Sequence, residues 1–426
     1  MWKKSSIAVV VAALAGLCLA PSQASAAEPD PVMNAPVFND PLGTAAEQNA
    51  IFIQFARLID RVPAGERISL SFFGFDTTSG QDSPDAPDLT AHLIAAHQRG
   101  VDVQAILDQG QAGNTQYARL SKELGADDAK PSFLVNCGDH DADDDPRGCI
   151  GTRVKTYSSG PLYAYNHSKF ATLSAVKLND GSTAKNVVFT GSSNIGTWDA
   201  DKAFNNMMTM SDADAYNAFG KYFTDLRDYR KTAGNNNYYT DTGSASKYRL
   251  FFFPRHERSG QPWEDPGSDT VYNTLLSVDP KCKYQETDGS WHQTDVRVAM
   301  LTFNRPAIAQ KLAQLSKDGC WVDIVYSSAS DAVLNALNVS GGPQLTKCAY
   351  DTNGGTGDGR VHSKYLLVDG AFDDDITPRV YTGSHNYAWS SLRQADETLM
   401  RMMGRDIHTA YLNNFWKVRD TCKNSR

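Results

Sequence analysis

The chain has 426 residues, of which 41% are hydrophobic and 21% are charged. These values are typical of a folded globular protein and exclude disordered, fibrous and collagen-like chains. Because single hydrophobic cores stop growing at roughly 250 to 300 residues, the length predicts more than one domain. Acidic residues outnumber basic ones by 49 to 41, which gives a net charge of −8.

The first 26 residues have the pattern of a secretory signal peptide. Lys3 and Lys4 precede an apolar run over 7–20, and a group of small residues ends at Ala26. The apolar run is shorter than the roughly 20 residues that a membrane-spanning helix needs, and no later segment has that character. We therefore expect cleavage near Ala26 and a secreted, extracellular protein without an integral membrane segment.

The predicted cleavage removes two lysines, so the mature chain carries a net charge of −10. Nucleic acids attract proteins through a cationic track along the phosphate backbone, and the sequence has no basic runs. Composition therefore argues against nucleic acid as a partner.

A strand, helix and strand follow one another near the start of the mature chain. The predicted elements are a strand over 68–75, a helix over 89–99 and a strand over 101–107. Gly100 stops the helix, and a short connection of this kind adds parallel strands to a sheet.

An acidic loop lies between Cys137 and Cys149. Aspartates alternate along it at Asp139, Asp141, Asp143 and Asp145. The spacing is similar to the start of a calcium loop, but Asp144 stands where glycine is required and Ile150 where glutamate is required. We favour a solvated surface loop, closed by a disulfide, over a metal site.

Six cysteines follow the predicted signal peptide, which is an even number and predicts up to three disulfides. We expect Cys137 to pair with Cys149. The remaining cysteines are Cys282, Cys320, Cys348 and Cys422. They allow three connectivities, among which we favour Cys320 with Cys348.

The first candidate catalytic motif is His167-Ser168-Lys169, and it is followed by a turn over 191–194 that contains Ser192 and Asn194. In a strand, residues i and i+2 lie on the same face. His167 and Lys169 are therefore expected to project in the same direction.

A polar, glycine-containing stretch over 231–246 separates this region from the rest of the chain. We place a domain boundary there, which divides the chain into residues 1–26, 27–243 and 244–426. The last of these begins with an apolar strand over 248–254.

The second part of the chain repeats the plan of the first. Its predicted elements are a strand over 296–303, a helix over 307–317 and a strand over 321–326. Gly319 stops the helix in the place that Gly100 occupies earlier. Alternating strands and helices in both parts predict an α/β protein with helices packed on the faces of its sheets.

The motif also recurs, as His362-Ser363-Lys364 followed by a turn that contains Ser384 and Asn386. One such triplet is a weak signal, because a hydrogen-bonded histidine beside a solvated lysine is common. Two copies, each followed by a similar turn in duplicated halves, indicate a single composite site.

The sequence resembles the phospholipase D superfamily, whose halves each carry H-x-K-x-x-x-x-D followed by G-[SG]-x-x-N or G-S-x-N. The resemblance covers essentially the whole mature chain and is closest to secreted phospholipase D-like proteins of Gram-positive bacteria. It implies two duplicated α/β sandwich halves around a pseudo-twofold axis. It also implies one active site at their interface, where both histidines and both lysines meet, so that a monomer suffices.

The residue types suit phosphodiester chemistry without a metal or another cofactor. Two lysines offset the charge on the phosphate oxygens, one histidine attacks phosphorus to form a phosphohistidine, and the other protonates the leaving alcohol. The second histidine then activates water or another alcohol.

The two copies of the motif differ in their carboxylates. Asp369 lies five residues after Lys364, and Glu397 lies 11 residues after Asn386. The first half has Ser174 and Asn205-Asn206 at the matching places. We expect Ser174 and Asn206 to form hydrogen bonds where the carboxylates are lost. The expected catalytic residues, besides the histidines and lysines, are Asn194, Asn386, Asp369 and Glu397, and the expected substrate-binding residues are Ser192, Ser384, Ser174 and Asn206.

The difference suggests roles for the histidines. We expect Asp369 and Glu397 to lie near His362 and to favour its charged form, which suits the general acid. His167 is then the nucleophile, as the resemblance to bacterial phospholipases D also implies. The reverse order stays open, because a carboxylate can also orient a nucleophile.

Trp198 and Trp389 follow the two turns. Tryptophans at such positions can form an aromatic wall that contacts a lipid. More commonly they pack a helix against the core.

The sequence predicts a secreted phospholipase D that removes the headgroup of a glycerophospholipid, with transfer to alcohols as an accompanying reaction. Two alternatives stay open. One is a secreted endonuclease of the same superfamily, and the other is a degenerate module that binds phosphate without turnover. A water-soluble glycerophosphodiester is also an open choice of substrate.

Overall fold

The computed structural model describes residues 1–2, 28–76, 82–138, 145–244, 246–352, 355–373 and 375–424. Most of the predicted signal peptide and the acidic positions 139–144 lie outside the described residues.

The first sheet has seven strands in the order β1-β10-β8-β7-β2-β3-β4. β2, β3 and β4 are parallel to one another, and the remaining neighbours are antiparallel. The strands of this part of the chain are β1 (Ala35–Phe38), β2 (Arg67–Phe72), β3 (Asp102–Leu107), β4 (Phe133–Asn136), β5 (Lys155–Tyr157), β6 (Gly160–Leu162), β7 (Lys169–Lys177), β8 (Thr183–Gly191), β9 (Ala203–Phe204) and β10 (Asn206–Ser211).

The second sheet repeats this order in β12-β22-β21-β20-β15-β16-β17 and adds β11 beyond β12 as an eighth strand. Its parallel strands are β15, β16 and β17. The strands of this part are β11 (Thr240–Asp241), β12 (Arg249–Phe252), β13 (Lys283–Gln285), β14 (Trp291–Gln293), β15 (Asp295–Phe303), β16 (Trp321–Ala329), β17 (Gln344–Lys347), β18 (Tyr350–Thr352), β19 (Gly355–Val361), β20 (Lys364–Asp369), β21 (Arg379–Gly383) and β22 (Thr398–Met403). The matching strand orders confirm the duplicated α/β halves.

The helices occupy three layers, two outside the sheets and one between them. They are α1 (Ala45–Gln48), α2 (Ala50–Asp60), α3 (Leu89–Gln98), α4 (Thr115–Leu124), α5 (Thr197–Asp201), α6 (Ala213–Tyr229), α7 (Thr270–Leu276), α8 (Pro306–Lys317), α9 (Asp331–Leu337), α10 (Trp389–Arg393) and α11 (Arg405–Asn424). Short 3₁₀ turns are formed by Gln109–Gln111 and Pro266–Ser268.

The two predicted strand, helix and strand units are confirmed, and local chemistry explains the ends of their helices. Asp88 is the N-cap of α3, and its carboxylate accepts the backbone N–H of Ala91 at 3.2 Å. It ends before Gly100, whose φ of +92° is a conformation that favours glycine. α8 begins with Pro306 and ends before Gly319, which has a φ of +103°.

The central layer holds the halves together. Side chains of α6 and α11, including Phe219 and Phe415, pack in one apolar core with Met208 of the first sheet and Met400 of the second. A core of this kind buries the inner faces of both sheets and brings the ends of their strands to one interface.

The disulfides are Cys137–Cys149, Cys282–Cys320 and Cys348–Cys422. The first pairing was predicted correctly. The preference for Cys320 with Cys348 was wrong, because Cys282 lies beside the end of α8 while Cys348, which follows β17, faces the last turn of α11. Long-range packing of α11 decides this pairing, and sequence spacing carries no signal for it.

Among the described helices, none is long and apolar enough to cross a membrane.

We predict that removing Cys348–Cys422 costs more stability than removing Cys137–Cys149. The separations are 74 and 12 residues, for which loop entropy in the unfolded chain gives about 4 and about 3 kcal/mol. All four cysteines are fully buried, so the double Cys→Ala variant of each disulfide removes sulfurs from a similar environment. Urea unfolding of both variants measures the difference, and equal losses would contradict the expected order.

Candidate active site

His167, just before β7, is held by the second half of the chain. Its Nδ1 lies 2.9 Å from Oε1 of Glu397, and its backbone N–H donates to the carbonyl of Asp396 at 2.9 Å. The ring packs edge-on against Phe73 and Tyr165. The histidine of the first motif is therefore positioned by the turn that precedes β22.

His362, just before β20, is held by the first half in the same way. Its Nδ1 lies 2.8 Å from Oδ1 of Asn205 and 3.3 Å from Oδ1 of Asp199. Its backbone N–H donates to the carbonyl of Phe204 at 2.9 Å. Each histidine is thus held by residues of the opposite half.

The lysines complete the site. Nζ of Lys169 donates to the carbonyl of His167 at 2.8 Å, and Nζ of Lys364 donates to that of His362 at 2.5 Å. Burial is the main cause that lowers the pKa of both histidines, and the charges of Lys364 and Lys169 add to it at His167 and His362 respectively. The two motifs, separated by nearly two hundred positions in the chain, therefore meet in one site.

The glycine that begins each turn is required by a close approach between strands. A Cβ on Gly191 would lie 2.2 Å from the carbonyl oxygen of Asn206, and one on Gly383 would lie 2.3 Å from that of Thr398. Only glycine allows β8 and β21 to come this near to the strands that carry the histidine partners.

The serines of the turns orient those partners. Ser192 Oγ donates to Asn205 Oδ1 at 2.8 Å, and Ser384 Oγ donates to Glu397 Oε2. Both serines are fully buried. The prediction that they bind substrate is corrected, because their hydroxyls lie behind the residues that contact the histidines.

The asparagines of the turns also fix the local backbone. Asn194 donates to Asp199 Oδ1 at 3.2 Å and accepts from the backbone of Gly74, while Asn386 accepts from the backbone N–H of Thr302. Their assignment as catalytic residues stays a prediction.

Asp369 and Ser174 do not lie in the site, contrary to the sequence-based expectation. Each lies five residues along a strand from its lysine, a distance of roughly 17 Å. Asp369 accepts from Tyr284 and forms an ion pair with Arg405, and Ser174 donates to Glu66 at 2.6 Å.

Two further expectations about the partners were wrong. Glu397 contacts His167 rather than His362, because each histidine is served by the opposite half. Asn206 donates instead to Thr382 and Tyr411, and its neighbour Asn205 holds His362. Successive residues point in different directions here, so a shift of one position changes the assignment.

Asp199 and Trp198, both in α5, lie beside His362, and motif comparison did not identify Asp199. Asp199 lies five residues after Asn194, but Ser391 occupies the corresponding position in the second half, so a search for repeated residues misses it. Trp198 is 42% exposed and packs edge-on against His362 at 5.4 Å. The core-packing interpretation fails for Trp198 and holds for buried Trp389.

Burial sets the charge states of the first histidine pair. It lowers the pKa of His167 to about 4, although Glu397 acts in the opposite direction. Burial raises the pKa of Glu397, but His167 and Lys169 outweigh it and lower that pKa to about 2. At neutral pH an uncharged His167 therefore donates from Nδ1 to an ionised Glu397 and leaves the Nε2 lone pair free.

Among the described residues, one group has the composition of a metal site: Cys137, Cys149 and Asp396. Its sulfurs form a disulfide, and Asp396 accepts backbone N–H groups of 149–151 at 2.6 to 3.1 Å. These contacts give Asp396 a structural explanation, which is to anchor the turn after Cys149.

A family model described as "Cardiolipin synthase, PLD-like domain" matches residues 63–227 and 292–419. A phosphatidylserine synthase from Haemophilus influenzae Rd KW20 is similar in structure, with a TM-score of 0.53, 12% identity and coverage of 91% of this chain and 86% of that one. A polyphosphate kinase from Porphyromonas gingivalis gives a TM-score of 0.52 at 10% identity and covers 89% of this chain. The match spans about half of the kinase, 49%. Identities this low establish the fold alone, and no curated protein sequence matches the chain.

We predict that His385→Leu makes the protein less sensitive to acid. His385, in the second turn, is 1% exposed, its ring nitrogens have no hydrogen-bond partner, and burial lowers its pKa to about 3. The unfolded chain binds this proton near pH 6.5, so the folded state loses stability as pH falls from 6.5 toward 3, by about 1.4 kcal/mol per pH unit.

Urea unfolding at pH 6.5 and 5 tests this expectation. The difference in unfolding free energy between His385→Leu and wild type should shift by about 2 kcal/mol in favour of the variant. Parallel pH curves would contradict it.

Proposed function

Since the chain belongs to the phospholipase D-like family, which acts on phosphodiesters, we propose that it is a secreted phospholipase D working through a phosphohistidine. One observation carries the proposal: two histidine and lysine pairs lie in a single buried site, each histidine held by the opposite half. A module that only binds phosphate needs cations, but it does not need two histidines with fixed ring orientations.

In the first step, Nε2 of His167 attacks phosphorus and a P–N bond forms. The bond from phosphorus to the leaving oxygen breaks, and His362 gives its Nε2 proton to that oxygen, so that a neutral alcohol departs. Glu397, hydrogen-bonded to Nδ1, stabilises the positive charge that the His167 ring gains on attack.

In the second step, water attacks phosphorus on the phosphohistidine. Neutral His362 accepts the water proton, the P–N bond breaks, and His167 recovers its lone pair. A second alcohol in place of water gives headgroup exchange instead of hydrolysis. Both steps balance without a metal ion or another cofactor.

The role of His362 as an acid depends on bound substrate. Burial and then the charges of Lys364 and Lys169 lower its pKa far below the usual range. A phosphodiester anion between the lysines offsets that repulsion and favours the protonated ring. Asp199, 3.3 Å from Nδ1, adds negative charge on the other side.

Exposed apolar side chains near the site favour a lipid substrate. Trp198 is 42% exposed and packs against His362. The hairpin of β5 and β6, which ends five residues before His167, exposes Val154, Tyr157 and Leu162. The acidic net charge disfavours DNA, and the two comparisons named for lipids, cardiolipin synthase and phosphatidylserine synthase, agree with this choice.

Secretion and a monomeric state complete the proposal. Three disulfides suit an oxidising compartment. One chain supplies both histidines, so no second copy is needed. A relation to secreted proteins of Gram-positive bacteria and a domain boundary near residue 243 stay part of the proposal.

We predict that Glu397→Gln lowers kcat on a chromogenic phosphodiester by about 100-fold, because a buried hydrogen bond to an ionised group is worth about 1.5 to 3 kcal/mol. Asp369→Asn is the matched control. It changes the carboxylate of the sequence motif, which lies at the far end of β20, and should leave kcat within about threefold.

Quenching with labelled substrate in alkaline detergent, which preserves the acid-labile P–N bond, tests the order of the histidines. Label on His167 is expected, whereas label on His362 would reverse the proposed roles. Equal losses of activity in both carboxylate variants would show that Glu397 has no special part.

We also predict release of choline or ethanolamine from phospholipid vesicles in the presence of chelator, with no nicking of plasmid DNA. His167→Ala should abolish the release while leaving the melting temperature near that of wild type. Nicking without headgroup release would favour the endonuclease, and turnover of soluble glycerophosphodiesters alone would move the substrate away from membranes. A full survey without turnover would favour the phosphate-binding module.

A further inference from the structure

A second, arginine-rich cavity lies on the outer face of the second sheet, away from the histidines. It has a volume of about 650 Å³ and lies between α7 and strands β12, β22 and β21. Four arginines line it: Arg249, Arg255, Arg379 and Arg401. Arg401 lies four residues along β22 from Glu397, a distance of roughly 13 Å, so the cavity is separate from the site of the proposed reaction.

Two of these arginines lie directly opposite each other in the sheet. Arg249 of β12 is paired with Arg401 of β22, and Tyr381 of β21 is paired with Arg401 on the other side. Like charges in such a pair are about 5 Å apart at Cβ and destabilise the sheet. An anion on this face would turn that repulsion into attraction.

Carboxylates neutralise only part of the cluster. Arg249 forms a two-pronged ion pair with Asp241 at 2.8 and 2.7 Å, and Arg379 pairs with Asp375 at 3.1 Å. In the part of the chain that the structure describes, no carboxylate lies within 4.0 Å of Arg255 or Arg401. Asp373, the third aspartate lining the cavity, is exposed at its rim.

Arg401 is 7% exposed, and its Nε has no hydrogen-bond partner. A buried guanidinium N–H that lacks an acceptor is costly unless something else supplies one. The guanidinium of Arg255 lies 4.0 Å from the centre of the Tyr239 ring. This contact keeps the charge of Arg255 at the wall of the cavity. Two charged groups without carboxylate partners thus face one space.

The first half of the chain provides an internal comparison. The residues at the positions of Arg249, Arg401 and Tyr381 are Ala35, Thr209 and Phe189. There the face is covered by α2, from which Gln54 donates to Thr209 at 2.9 Å and Phe55 stacks on Phe189. The cations are therefore not required by the fold, and they occur only in the half where this face is open.

We propose that this cavity binds the dianionic group of a phosphate monoester. Two guanidinium groups without carboxylate partners match two negative charges, and arginine presents N–H donors in a fork that fits phosphate oxygens. A phosphate monoester is close to a dianion at pH 7.5, since its second pKa is near 6. The group belongs either to a soluble molecule or to a lipid headgroup, and the experiment separates these two sources.

Equilibrium dialysis of the whole protein with labelled inorganic phosphate at pH 7.5 and low salt tests the proposal. Arg401→Met should bind one phosphate fewer per chain than wild type, and Arg255→Met should bind this phosphate at least tenfold more weakly. Arg227→Met, on α6 and outside the cavity, is the control and should match wild type. Phosphate binding by Arg401→Met and Arg255→Met equal to that of wild type would overturn the proposal.

Lys364→Met separates this result from the proposed function. It should lose the phosphate of the active site and keep that of the cavity. If Lys364→Met binds as wild type while Arg401→Met loses one phosphate, the cavity site stands and phosphate binding by the active site fails.

Melting temperatures show whether the variants fold. In phosphate-free buffer Arg401→Met should melt at or above the temperature of wild type, because the substitution removes a repulsion from Arg249. If it fails to fold, Arg255→Met, which lies outside the sheet, decides the outcome.

Two further measurements identify the source of the phosphate. One is dialysis with glycerol 3-phosphate, and the other is flotation with phosphatidylcholine vesicles that contain phosphatidic acid. An effect of Arg401→Met on glycerol 3-phosphate alone assigns a soluble ligand, and an effect on vesicle binding assigns the lipid headgroup.

Discussion

Each histidine of the proposed active site is hydrogen-bonded by a residue of the opposite half, and the rest of the structure depends on this constraint. Glu397 of the second half holds His167, and Asn205 of the first half holds His362. Neither half can orient its own histidine, so the site exists only when both sheets pack on α6 and α11. The buried serines and the close approach at Gly191 and Gly383 serve the same purpose, because they fix the strands that carry the supports.

The two supports differ in charge, and this difference gives the duplicated site a direction. Glu397 is ionised and fully buried, whereas Asn205 is neutral and the carboxylate of Asp199 is 3.3 Å from His362. A ring that becomes positive on attack gains more from the nearer carboxylate. This difference in charge is the reason to propose His167 as the nucleophile, and it is the opposite of the reason that the sequence suggested.

The sequence predicted the features that depend on local pattern and on repetition. Strands, helices, parallel pairing and the two motifs follow from periodicity and glycine positions. It did not predict which half serves which histidine, because contacts between residues 167 and 397 are decided by packing of whole sheets. For the same reason Asp369 and Ser174 were misplaced, Asp199 was missed, and Cys348 was not paired with Cys422.

The halves have kept their inner faces alike and changed their outer faces. Strand geometry permits this, because successive side chains point to opposite sides. In β22, Met400 and Met402 face the central helices while Arg401 faces outward. Substitutions at alternate positions can therefore alter the outer surface without moving the strand end that carries Glu397. Asp241 offsets the charge of Arg249, whereas Arg401 has no carboxylate partner among the described residues, so an anion in the cavity would supply the charge that Arg401 lacks.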